Sequence, residues 1–151
     1  MNLIALHQEK GNFMIDHISF AVKNFQQSRD FYDLTLSILG YERLITFDDE
    51  NHQVAGYGKN GKPSFWIGVK KILSEEDNCE YVGRAAGFHV GFSASDIKSV
   101  HQWHQKCVEL GGTDNGVPGP RPEYHPGYYG GFIIDPNGWR IEGCFQNYQG
   151  A

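Results

Sequence analysis

Polar and apolar positions alternate from residue 15 to residue 22. Ile15, His17, Ser19 and Ala21 fall on one face, and Asp16, Ile18, Phe20 and Val22 on the other. That period of two predicts a half-buried strand. The face carrying His17 is smaller and more polar, so it is read as the face that lines a cavity. At Asn24 the period changes. Asn24 with Gln27 three residues on resembles a capping box, and the stripe Phe31, Thr35, Ile38 and Leu39, closed by Gly40, predicts a helix. Three strands follow over 41–47, 53–58 and 63–70, the last two joined by Lys59-Asn60-Gly61-Lys62.

The order then repeats. Residues 88–94 read as a strand, and 96–110 as a helix with Ile97, Val100, His104, Cys107 and Val108 on one stripe and Gly111-Gly112 as its stop. Residues 113–127 are rich in glycine and proline and are not expected to hold a regular element for long. Residues 128–134 and 139–145 are strands joined by Asp135-Pro136-Asn137-Gly138, whose proline and glycine positions suit a type I turn. An offset of 72 residues lays His17 on His89, Phe20 on Phe92, Phe31 on Trp103 and Gly40 on Gly112. The repeat predicts an α+β protein of two paired βαβββ modules, 14–70 and 85–151, forming a curved eight-stranded sheet open on one side. Residues 71–84, with Glu75, Glu76, Asp77 and Glu80, read as a polar linker. Residues 1–13 read as an extension before the domain, with Met14 an alternative start.

Composition narrows the function. A chain of 151 residues with a net charge of −5 offers no basic stripe for phosphates, so nucleic acid is not an expected partner. No apolar run approaches the ~20 residues that span a bilayer, and the N-terminal stretch lacks the basic region of a signal peptide, so no membrane association is expected. Cys79, Cys107 and Cys144 form no Cys-x-x-Cys pair, which argues against a disulfide framework or zinc knuckle and suits a reducing cytoplasm.

The phased histidines, the helix Phe25-Gln26-Gln27-Ser28-Arg29-Asp30-Phe31-Tyr32, and the closing segment from Tyr128 through Asp135-Pro136-Asn137-Gly138 to Ile141-Glu142 resemble the vicinal oxygen chelate superfamily. That superfamily includes glyoxalase I, extradiol dioxygenases, fosfomycin-resistance transferases and bleomycin-resistance binding proteins, and the resemblance covers residues 14–147. It implies a divalent metal ion (zinc, nickel, manganese or iron) held by His17, His89 and Glu142, with Glu142 also the catalytic carboxylate. Two imidazoles and one carboxylate leave coordination positions open for two substrate oxygens. A homodimer is the expected assembly, because two exposed edges on a small domain invite pairing.

The chain departs from the glyoxalase I pattern where a fourth ligand, also the base, would lie: Trp66 or Gly68 occupies that place. His52, Glu123 and His125 are the replacement candidates, and water on the metal, whose pKa falls to about 7 on zinc, is another. The expected function is a metal-dependent lyase, isomerase or dioxygenase acting on a small oxygen-rich substrate. The alternative is a metal-free module that sequesters a planar compound between Trp66, Tyr128, Tyr129 and Trp139. Tyr128 and Tyr129 alternate faces, so one of them is expected in the cavity. Arg121 and Tyr124 are read as a loop over an anionic ligand, and His101 and His104 as packing or surface residues of their helix. Glu142 has an ion pair with Arg140 as its plain structural reading, and Cys144, on the same strand face, has burial as its own.

Overall fold

The computed structural model describes residues 15–73 and 87–150. The predicted extension 1–13 and most of the linker 71–84 lie outside the described residues. The first module contains β1 (Ile18–Ala21), α1 (Phe25–Ile38), β2 (Glu42–Asp48), β3 (His52–Lys59) and β4 (Lys62–Lys70). The second contains β5 (Val90–Ser93), α2 (Ile97–Glu109), β6 (Thr113–Pro120), β7 (Tyr129–Ile134) and β8 (Arg140–Phe145). The eight strands form two hydrogen-bonded sheets of four, ordered β1-β4-β3-β2 and β5-β8-β7-β6. In each, the first strand pairs in parallel with the last.

Local chemistry accounts for the boundaries. Asn24 Oδ1 accepts the Gln27 amide at 3.0 Å, and Asp96 Oδ1 accepts the Ser99 amide at 2.7 Å, so each helix starts on a side-chain cap. Gly40 at φ 81° and Gly111 at φ 93° end them. Asn60 at φ 54° and Gly61 at φ 78° carry the β3–β4 hairpin, whose tight turn requires two positive φ values. The strand β6 corrects the sequence reading of 113–127. Its two prolines are tolerated because it lies at a sheet edge, and two register shifts around Gly116 absorb its irregularity.

Both helices pack on one side of the sheets. Phe20, Phe31, Tyr32, Leu36, Tyr57, Phe65 and Ile67 of the first module join Phe92, Trp103, Cys107, Ile133 and Ile141 of the second in a single core. Phe65 meets Phe92 edge-on at 5.0 Å between ring centroids, and Trp139 stacks on Phe20 at 4.4 Å while its Nε1 donates to Ala21 O at 2.7 Å. Trp139 therefore joins the modules and is not a cleft wall.

A polar clamp crosses the same junction. Asp135, 3% exposed, accepts the Tyr32 hydroxyl on Oδ2 at 2.7 Å and the backbone amides of Asn137 and Trp139 on Oδ1, both at 2.8 Å. Asn137 Oδ1 accepts the Lys23 amide, and Asn137 Nδ2 donates to Ser28 Oγ. The turn of the second module is thus fastened to the first helix of the other.

Asp135→Ala removes the acceptor of four donors at this junction, the Tyr32 hydroxyl, the Asn137 and Trp139 amides and Asn137 Nδ2, the last of which keeps Ser28 Oγ. The expected loss is about 3–5 kcal/mol in urea unfolding, since each orphaned buried donor costs about 1–3 kcal/mol and such losses do not add fully. Asp135→Asn, which keeps an acceptor, should lose less.

Burial first, and then the Asp135 carboxylate, pushes the Tyr32 phenol well above its usual value of 10.0; burial and Asp33 push Tyr57 the same way. Both groups stay protonated in the fold where the unfolded chain would ionise them. Their contribution is therefore complete below pH 10 and is lost as pH rises above it, by up to about 1.4 kcal/mol per pH unit for each. Tyr32→Phe should flatten the stability–pH profile by one proton above pH 10, as read from urea midpoints.

Candidate functional site

The sheet face opposite the helices carries the predicted chemistry. Ile141 and Gly143 of β8 turn to the core, where Gly143 leaves room for the Trp103 ring, so Glu142 and Cys144 point the other way. Glu142 is nonetheless only 1% exposed. Its Oε1 accepts the Tyr128 hydroxyl at 2.7 Å, and its Oε2 lies 3.2 Å from His89 Nε2. The Phe132 ring stands edge-to-face against His89 at 6.2 Å, and the Arg121 guanidinium sits 5.5 Å from the Phe132 ring centre. Tyr124 and His125 flank Tyr128 at 5.1 and 5.4 Å. Burial, and then the hydrogen bond to Glu142, raises the Tyr128 phenol strongly, so it remains a donor throughout the physiological range.

Two atoms each about 2.1 Å from one zinc ion lie roughly 3.0–3.4 Å apart. The His89–Glu142 separation suits a shared cation by that measure, but two donors are one short of an open catalytic set. His17 is not in this cluster. Its Nδ1 is held by Asp16 Oδ1 at 2.8 Å, and Asp16 Oδ2 takes Lys62 Nζ at 2.6 Å. Among the described residues, no group of three histidine, cysteine, aspartate or glutamate side chains is arranged to share a metal.

Register identifies the residue in the missing-ligand position. Gly91 of β5 lies opposite Glu142, and its repeat counterpart Ser19 of β1 lies opposite Trp66. Trp66, not Gly68, is therefore the counterpart of Glu142. A side chain on Gly56 would strike the Trp66 ring and Ile45, so that glycine gives the indole its seat on the sheet.

A family model described as Glyoxalase/Bleomycin resistance protein/Dioxygenase superfamily matches residues 14–142. The chain belongs to that superfamily. Among solved structures, a glyoxalase/bleomycin resistance protein from Albidiferax ferrireducens T118 aligns with a TM-score of 0.65 at 22% identity, over 87% of this chain and 98% of that one. Glyoxalase I from Zea mays aligns with a TM-score of 0.63 at 19% identity over 87% of this chain, which spans only 45% of the maize chain. A putative glyoxalase from Bacillus halodurans aligns at 0.57 and 21% identity, over 88% of this chain and 96% of that one. At these identities the likeness is one of fold. No curated protein matches the chain in sequence. No described helix is long and apolar enough to cross a membrane.

Within this superfamily fold, the remaining predicted residues divide clearly. Tyr128 joins Glu142, whereas Tyr129 turns to the helix side, where its hydroxyl meets His101 Nε2 at 2.7 Å. His104 is buried against Asp114 at 3.0 Å. Of the replacement bases, His125 lies against Tyr128 with its Nε2 on Gln146 Oε1 at 2.6 Å, while His52, at the start of β3, faces Asp49. Glu123 is exposed.

Sequence reasoning passed over Gly130. A Cβ there would come within 2.5 Å of Glu142 Oε1, so the buried carboxylate occupies the space that glycine leaves. A Cβ at Gly91 would meet Glu142 only at an ordinary 3.6 Å. The signal was the consecutive pair Gly130-Gly131 in a strand, since interior strand glycine often marks a close approach. Gly130→Ala should turn the carboxylate away from Tyr128 and cost about 1–3 kcal/mol in urea unfolding. Gly91→Ala should cost less.

Proposed function

We propose that the chain is a metal-dependent enzyme of the lyase, isomerase or dioxygenase type acting on a small oxygen-rich substrate in the cytoplasm. The observation carrying this reading is the buried Glu142 carboxylate shared between His89 and Tyr128 on the open sheet face. His89 and Glu142 would hold a divalent ion (zinc, nickel, manganese or iron), with His17 of a second copy of the chain as third donor. Such an ion polarises two substrate oxygens and stabilises developing negative charge.

The chain's own residues define the rest. Tyr128 fixes the carboxylate of Glu142 and offers a hydroxyl beside the substrate. Asp16 accepts from His17 Nδ1, the arrangement that leaves Nε2 as the ligating atom. Trp66, where a base would otherwise stand, supplies a flat apolar wall and no proton acceptor. Buried thiols at Cys107 and Cys144, both free, fit a reducing compartment.

The expected assembly is a homodimer with metal at one ion per chain. His17→Ala, His89→Ala and Glu142→Gln should each lose bound metal in elemental analysis of untagged protein. Mixing His17→Ala with His89→Ala chains after reversible dissociation should restore about a quarter of the sites, because each mixed dimer has one intact combination. Full metal content in the three variants, or a monomer by light scattering, overturns this reading. The second reading, a metal-free binding module, is favoured by Trp66 at the ligand register and by the two-donor set of a single chain; wild-type protein that takes up no metal would support it.

A further inference from the structure

We infer that Arg121 makes this an anion-selective site, reading a carboxylate on a planar substrate whose other end carries the paired oxygens. The inference rests on the proposed function for the location of the oxygen-binding end. Arg121 follows β6, where its Nη2 donates to Val117 O at 2.8 Å and its Nη1 to Pro120 O at 3.1 Å. Those bonds to carbonyls of β6 fix the guanidinium without neutralising it. Among the described residues no carboxylate pairs with Arg121, whereas Arg43, Lys62, Lys71 and Lys106 each have one. An oriented arginine without a counter-charge is a fork awaiting an oxyanion.

Its position relative to the site supplies the rest. Arg121 and His89 both lean on Phe132, the guanidinium at 5.5 Å and the imidazole edge-to-face at 6.2 Å. Phe132 also lies directly across the ladder from Glu142. A flat molecule reaching past Phe132, from the His89–Glu142 side to the Arg121 side, would present two oxygens at one end and a carboxylate at the other. The chain as a whole carries a net charge of −5 and repels anions at long range. Selectivity for an anion must then come from a local cation, and Arg121 is placed for it.

The test uses the purified full-length chain and three probes, 3,4-dihydroxybenzoate, catechol and benzoate, with dissociation constants from calorimetry. The wild type should bind 3,4-dihydroxybenzoate at least about tenfold more tightly than catechol, the scale of one charge-assisted contact. In Arg121→Gln that ratio should fall to about one, and Arg121→Lys should recover only part of it, because an ammonium lacks the planar fork. Thermal unfolding of both variants checks that the loop is intact. Equal affinity for 3,4-dihydroxybenzoate and catechol in the wild type, a preference that survives Arg121→Gln, or binding of none of the probes overturns the inference. Benzoate binding abolished by Arg121→Gln, in a protein that ignores catechol, would sustain the anion site while overturning the paired-oxygen reading.

Discussion

The hydrogen bond from the Tyr32 hydroxyl to Asp135 is the constraint on which the rest of the molecule depends. It joins a helix of the first module to a turn of the second inside a region where neither group meets water. The same carboxylate organises the turn through two backbone amides, so the shape of the turn and the docking of the modules are one arrangement. A buried polar group of this kind contributes through what its loss would leave behind, because each orphaned partner carries its full desolvation cost. Trp139, at the end of the turn, then lies flat on Phe20 and closes the junction with an apolar contact.

Packing both helices on one side has a direct consequence for chemistry. Each sheet has two faces; the core uses one, and the alternation of strand side chains sends His17, Ser19, Trp66, His89, Glu142 and Cys144 to the other. That face pays for no core and is available for ligands. Glu142 is the most enclosed side chain on it, lying in the space Gly130 leaves with Tyr128 on Oε1 and His89 beside Oε2. Carboxylates are seldom buried without partners, and here the partners are a phenol and an imidazole on the open side of the sheet.

The two modules share a register and differ in chemistry at it. Where the second has glutamate opposite Gly91 with its carboxylate in the space Gly130 leaves, the first has tryptophan opposite Ser19 and seated on Gly56. On this face the second module places His89, Glu142 and Tyr128 together, and the first places Trp66 opposite Ser19.

Much of this was legible from residue order alone. The period of two around His17, the cap at Asn24, and the glycines that end both helices are local properties, fixed by backbone sterics and by side chains a few residues apart, and the offset between the repeats exposed the equivalence of the modules; the cap at Asp96 emerged only in the structure. The strand β6 was hidden, because its glycines and prolines are unfavourable for a strand until an edge position removes the need for their amides. The site was legible as a set of residue types: His89, Glu142 and Tyr128 were all named from the sequence. Which of Tyr128 and Tyr129 joined them, whether Trp66 or Gly68 matched Glu142, and that His17 stands with Asp16 and Lys62 apart from the other two depended on strand register and on how the modules dock. Those are relations between residues far apart in the chain, decided by which pairings bury the shared core and satisfy Asp135, and no local pattern encodes them.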